Sequence, residues 1–240
     1  MALNTRKIKT KGKNFVEQDV LPVDNYPARL VQVIDLGLQS GGEWKGEKKP
    51  PVNKIHVTYE LVDCFMLDKD GEEVLDKPRW LSEDLNMFGP DADKAKCNQR
   101  YNAIDPECLQ DYDWAAVVGN SCNVMVAQKE SKGKTYANVG LVTPYVVTKR
   151  NPEMAPLVNP TKVFNLEFPD IEVFESLPNW IQDKIKANLE FKGSPLQALL
   201  EGAPEEEEED EPEPEEKPKG RKKAAPKPEP EEEEGDDEGW

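Results

Sequence analysis

The sequence is poor in the side chains from which most catalytic and metal sites are built. His56 is the only histidine among the 240 residues, and the cysteines at positions 64, 97, 108 and 122 form no Cys-x-x-Cys pair. We therefore expect reduced, partly buried thiols rather than zinc, and no histidine-based catalytic triad. The phosphate-binding pattern G-x-x-x-x-G-K-[ST] is absent as well. These absences predict no enzymatic activity, no cofactor and no metal.

Long hydrophobic runs are also missing. No apolar segment approaches the roughly 20 residues that a membrane span needs, and the N-terminal residues do not include the apolar region of a secretory signal. The expected location is the cytoplasm, with no membrane partner.

Acidic residues are abundant but unevenly distributed. The chain has 48 Asp and Glu against 31 Lys and Arg, a net charge of −17, and residues 203–240 hold 18 of the acids with only 6 bases. This segment has no large apolar residue before Trp240, so we predict a disordered acidic tail over 203–240. Only −5 is left for the other residues, which we divide into a flexible basic arm (1–20) and one folded domain (21–202). The total charge is therefore no argument against nucleic acid.

The domain has the pattern of a mainly β protein. Alternating or β-rich runs predict strands at 26–38, 55–63, 79–84, 122–129 and 135–147, with a bulge or bend at Gly37. Ile55 to Asp63 alternates apolar and polar side chains, which predicts a half-buried strand. Helices are predicted at 91–103, at 112–118 and, with an amphipathic pattern, at 177–191, and extended chain at 154–174. Five strands with a helix before the fourth predict an OB-like Greek-key barrel with a C-terminal amphipathic helix.

Two loops carry lysines beside aromatic residues. Gln39 to Asn53 contains Trp44, and Lys129 to Tyr136 follows the fourth predicted strand. Cations suit phosphates and exposed rings suit unstacked bases, so both loops indicate single-strand binding. Each residue alone also fits a core position or a solvated lysine. The predicted DNA-binding residues are Trp44, Lys45, Lys48, Lys49, Arg79, Trp80, Lys94, Lys96, Arg100, Tyr101, Lys129, Lys132, Lys134 and Tyr136.

These segments resemble a known family. The runs YPARLVQVIDLGLQ from Tyr26, KPPVNKIHVTYELVD from Lys49, KPRWLSEDL from Lys77 and LPNWIQDKIKANLEF from Leu177, with the acidic tail closed by Trp240, are similar to the OB-fold single-stranded-DNA-binding proteins of tailed phages. The resemblance implies protection of single strands during phage DNA replication or recombination, in the host cytoplasm. It also implies that the tail recruits replication proteins such as a polymerase, a primase-helicase or a nuclease. The implied partner-binding residues are Asp236, Asp237, Glu238 and Trp240.

Two other classes of function stay open at this point. An acidic interaction protein, either a DNA mimic or a chaperone of basic partners, would use the −17 charge directly. A nuclease or nucleotide hydrolase would need carboxylates such as Glu83 and Asp84, which acidic turns and helix caps explain more simply. DNA against RNA, site size, cooperativity and the choice between monomer and homodimer are not determined by the sequence.

Overall fold

The structure is a computed structural model that describes residues 18–149 and 151–202. The predicted arm is covered only from Gln18 onward. The predicted tail, with Asp236, Asp237, Glu238 and Trp240, lies outside the described residues, and so does the side chain of Trp44.

A sheet of six strands forms most of the described chain. Its long strands are β1 (Asn25–Gln39), β4 (Val52–Leu67), β5 (Glu73–Asn86), β6 (Ser121–Ser131) and β7 (Lys134–Pro144), and β2 (Glu43–Trp44) with β3 (Glu47–Lys48) makes a separate small hairpin. The antiparallel order is β5-β4-β1-β6-β7, and the short β8 (Lys162–Phe164) lies parallel to β1. The prediction of a mainly β protein is confirmed.

Strand β1 is bent so that it serves two neighbours on one edge. Residues Asn25 to Arg29 pair with β6, whereas Gln32 to Ile34 pair with β8. Its register with β4 shifts twice, the second time at Gly37, whose φ is +68°. Glycine adopts this left-handed conformation without steric cost. The predicted bulge at Gly37 is therefore confirmed.

Four helices occur in the described ranges: α1 (Lys96–Ile104), α2 (Ile171–Glu175), α3 (Asn179–Lys186) and α4 (Pro195–Glu201). The inserted helix exists but begins five residues later than predicted. The helix predicted at 112–118 is wrong: the segment forms turns, and Asp111 and Tyr112 have positive φ, which an α-helix does not accept. None of these four helices is long and apolar enough to cross a membrane.

Two hydrophobic clusters lie on opposite sides of the sheet. The inner one joins Val57, Tyr59 and other strand residues to α1, and the outer one joins Ile34 and Leu36 of β1 to α2, α3 and α4. We call residues 151–202 the C-terminal layer. This layer helps to bury the polar side of β4 as well, because His56, Thr58 and Glu60 are at most 4% exposed. The prediction of a half-buried strand is therefore wrong.

Candidate nucleic-acid interface

The β6–β7 hairpin carries one aromatic and three basic side chains at its tip. Lys129 is the cross-strand partner of Tyr136, and Ser131 is the partner of Lys134, so these four residues share one face of the ribbon. Lys132 occupies the turn, where it and the following glycine have φ of +50° and +75°. Positive φ at both central positions is the geometry of the tight hairpin turn.

Apolar side chains continue the same face away from the tip. Met125 and Leu141 are cross-strand partners and are 41% and 42% exposed, whereas Val124 and Val126 point into the core. The side chain of Tyr136 is half exposed. We call this set the hairpin face: Met125, Lys129, Lys132, Lys134, Tyr136 and Leu141.

Charge on the hairpin is separated between its two sides. Its one acid, Glu130, pairs with Thr135 and therefore points to the side opposite Lys129 and Lys134. The three lysines of the hairpin face are all exposed. The hairpin face thus presents three lysine side chains, one aromatic ring and two apolar side chains to solvent.

The other predicted loop is a small β-hairpin at the far end of β1. Lys45 lies in its turn with φ of +52°, and Lys45, Lys48 and Lys49 are exposed. Glu43 stands opposite Lys48, and Glu47 adds a second acid, so the loop has little net charge. Because β1 starts beside β6 and ends at this loop, the two predicted loops are not brought together.

Arg79 and Trp80 do not form one binding pair. They are successive residues of β5, so their side chains point to opposite sides of the sheet. Arg79 donates to the Asp19 carbonyl at 2.7 Å, while Trp80 Nε1 donates to Glu60 Oε2 at 3.1 Å. The indole of Trp80 remains 42% exposed and stays a candidate.

The helix residues predicted to bind DNA mostly have other partners. Lys94 is exposed but precedes α1, so its predicted place within the helix at 91–103 is wrong. Lys96 forms an ion pair with Glu83.

Arg100 and Tyr101 are buried, at 2% and 0% exposure. Arg100 donates to Glu83 Oε1 at 2.8 Å and to the Gly140 carbonyl at 3.0 Å. Tyr101 stacks on Tyr112 with ring centroids 4.9 Å apart. The candidate interface therefore includes neither residue: both hold α1 against the sheet.

The predicted binding residues do not include Trp180, which lies within the amphipathic helix predicted at 177–191. Ile181 and Ile185 form the buried face of α3, while the Trp180 indole is 50% exposed and packs its ring edge-on with His56. The i, i+4 spacing of the two isoleucines was the signal that distinguishes them from Trp180.

A charged cluster lies under Trp180. His56 Nδ1 is 2.7 Å from Asp84 Oδ1, and Lys184 Nζ is 2.5 Å from Asp84 Oδ2. Partial burial favours a raised pKa for Asp84, but the hydrogen bonds from His56 and Lys184 outweigh it and lower the pKa to about 2. Asp84 is therefore a carboxylate at neutral pH, neutralised by Lys184.

No protein-family model matches the chain, and no curated protein matches it either.

Met125 and Leu141 were also missed, because alternation within a hairpin cannot tell which side is covered. The candidate interface thus consists of the hairpin face, with Trp80 and Trp180 on a different surface.

Proposed function

We propose that the chain binds single-stranded DNA without sequence preference. The observation that carries this proposal is the hairpin face, which aligns three exposed lysines with the exposed ring of Tyr136. Lysines neutralise phosphates, and a ring that stacks on an unpaired base contributes about 1–3 kcal/mol. Every base has a flat face, so such binding does not depend on sequence. A duplex keeps its base faces stacked and offers only the phosphate term.

We also propose that the sheet closes into an OB-type barrel. The strand order places β1 between the second and fourth long strands, and α1 lies between the third and the fourth, as in that fold. Cα atoms of β5 and β7, the two ends of the order, come within 8 Å of each other. Arg100 bonds Glu83 of β5 and Gly140 of β7 across this junction. These contacts support closure of the barrel, although β5 and β7 form no continuous strand pairing in the described chain.

For the tail we propose regulation and recruitment. Residues 203–240 carry a net charge of −12, so they compete with DNA phosphates for the same lysines. A tether of this length keeps the acids near the interface at roughly millimolar concentration. Long DNA displaces them and frees Asp236, Asp237, Glu238 and Trp240 for a replication protein. The proposed role is protection of single strands during phage DNA replication or recombination.

Titration of the full chain with dT oligomers of increasing length, at several salt concentrations, tests DNA binding. We expect tighter binding to dT than to duplex of equal length, with a steep salt dependence. Lys132→Gln with Lys134→Gln removes two phosphate contacts and lowers the salt slope by about 1.4. The matched control, Lys186→Gln with Lys192→Gln, removes two charges from the C-terminal layer and leaves the slope unchanged.

Two results would overturn the proposal. Absence of dT binding at low salt, with strong binding to cationic proteins, would favour the acidic interaction protein instead. Equal slopes for the hairpin and control variants would exclude the hairpin face as the interface. Deletion of residues 205–240 tests the tail separately: we expect tighter dT binding at low salt, and unchanged affinity would remove the autoinhibition.

A further inference from the structure

Hydrogen-bonded polar pairs cross from β4 to β5 on the outer side of the sheet. We call three of these pairs in the described chain the polar ladder: His56 with Asp84, Thr58 with Ser82, and Glu60 with Trp80. Their side chains are joined at 2.7, 2.9 and 3.1 Å in that order. Glu60 also accepts from the backbone N–H groups of Val158 and Asn159, which ties the C-terminal layer to this end of the ladder.

A partly exposed tryptophan stands at each end of the polar ladder. Trp80 belongs to the last pair, and Trp180 of α3 lies over the first, with its ring centroid 5.1 Å from that of His56. Glu60 lies four positions after His56 on β4, which corresponds to about 13 Å along a strand. Ser82 is exposed between the two rings. The surface therefore consists of two flat apolar faces with a hydroxyl between them.

Trp180 is held in place from below. Lys184 Nζ lies 4.9 Å from the centre of the Trp180 ring, and the same ammonium group is bonded to Asp84 of the ladder. Packing on His56 and Lys184 fixes the inner side of the indole, yet half of the side chain still faces water. A core role does not require that exposed half, because Ile181 and Ile185 already anchor α3.

The charge at this end is balanced. Lys54 lies two residues before His56 and so projects to the same side of β4, one step beyond the ladder. Lys54 and Lys184 face two carboxylates, Asp84 and the exposed Asp183, which lies three residues after Trp180 on α3. Glu60 at the other end is buried and satisfied by N–H donors, so recognition at this surface depends on the rings rather than on net charge. Bases have apolar faces and polar edges, which match two rings flanking a hydroxyl.

We propose that Trp180, together with Trp80, stacks bases of a single strand lying along the β5 side of the polar ladder, where Ser82 is exposed while the β4 members are buried. The face of α3 that carries Trp180 then forms part of the DNA-binding surface, whereas Lys186 of the same helix lies over the Phe174 ring, 5.5 Å from its centre, and stays outside this surface. This inference rests on the proposed single-strand binding and adds a second contact surface to the hairpin face. A peptide partner on the same two rings is the competing occupant.

Binding of dT oligomers to full-length variants tests this role. Trp180→Leu keeps an apolar contact with His56 but loses the aromatic face, so we expect affinity to fall between about fivefold and about 150-fold. Trp180→Phe keeps a ring and most of the affinity. The matched control is Phe168→Ala, which removes a ring that is 77% exposed and lies outside the ladder. Circular dichroism and the Tm of each variant show whether it is folded.

Tryptophan fluorescence gives a second readout that does not depend on a loss of affinity. We expect dT to quench the wild type more than Trp180→Phe, because the missing indole is one of those that stack. The inference is overturned if the wild type binds dT, Trp180→Leu has the same dT affinity as Phe168→Ala, and dT quenches the fluorescence of Trp180→Phe as much as that of the wild type. The proposed function stands in that case. If the wild type does not bind dT at all, the proposed function itself fails.

Discussion

The buried ion pair of Arg100 and Glu83 joins α1, β5 and β7. Variants that break this pair test whether Arg100 stabilises the fold or binds DNA. Side-chain exposure is 2% for Arg100 and 8% for Glu83. Besides Arg100, Glu83 contacts the ammonium group of Lys96 and the hydroxyl of Tyr59. Arg100 has the Gly140 carbonyl as its second acceptor. Without Arg100, Glu83 thus keeps a positive partner in Lys96, whereas without Glu83, Arg100 keeps only the Gly140 carbonyl.

This difference sets the expected magnitudes. Removal of one partner of a buried pair costs about 3–5 kcal/mol, because the other charge stays buried without compensation. We expect Arg100→Met to lower the free energy of unfolding by about 3 kcal/mol, because Lys96 still neutralises Glu83. We expect Glu83→Leu to lower it by about 5 kcal/mol, because the buried guanidinium keeps only one carbonyl as acceptor. The double variant replaces both charges by apolar groups and costs less than about 2 kcal/mol.

Urea unfolding of the four proteins completes a double-mutant cycle. A domain stability of about 5–15 kcal/mol leaves room to measure each single variant. We expect the double variant to be more stable than either single variant and folded Arg100→Met to bind dT as the wild type does. Single-variant losses that add up in the double variant would refute the coupling. Intact stability with weakened dT binding would return Arg100 to the interface.

Further predictions concern the sheet bend and the charged cluster. A Cβ at Gly37 would lie 2.2 Å from Asn188 Nδ2, whereas a Cβ at Gly42, which has a similar φ, would meet no atom within 4 Å. Gly37→Ala should therefore lower the Tm more than Gly42→Ala, and equal losses of Tm would contradict this prediction. The lowered pKa of Asp84, about 2, means that its carboxylate stabilises the fold above about pH 4 and loses this effect as the pH falls toward 2. Asp84→Asn should therefore cost about 1 kcal/mol at neutral pH, after screening at a partly exposed site, and progressively less as the pH falls through about 2. Urea unfolding across this range checks the prediction, and a difference in stability that does not depend on pH would refute it.

The local pattern was enough to predict the strands but not their environment. Gly37 and the lysine-glycine turn of the β6–β7 hairpin were readable because backbone conformation depends on adjacent residues. The burial of His56, Thr58 and Glu60 was not, because the residues that help to cover them come from about 100 positions later in the chain. Helix α4 was readable in principle, since Ser194 caps its start and Gly202 ends it in the left-handed conformation.

The residues of the candidate interface were harder to predict for a related reason. Arginine and tyrosine suit both an interface and a buried network, so composition could not separate Arg100 and Tyr101 from Lys132 or Tyr136. Only tertiary contacts, such as the carboxylate of Glu83 beneath α1, make that distinction. Lys132 and Lys134 are exposed because they lie in and directly after a two-residue turn, which leaves no room to bury them.

The chain's overall negative charge does not oppose binding at the hairpin face, because charge acts over a Debye length of about 10 Å in ordinary salt. The chain enters the described fold at Gln18, which bonds Leu67, and Leu21 then accepts from Gln128 of β6. The first 13 positions carry five basic residues and no acid, whereas residues 203–240, which carry −12, follow α4 in the sequence. The whole described fold therefore separates the basic stretch from the acidic stretch along the chain, so the net charge of −17 does not describe the charge around the hairpin lysines.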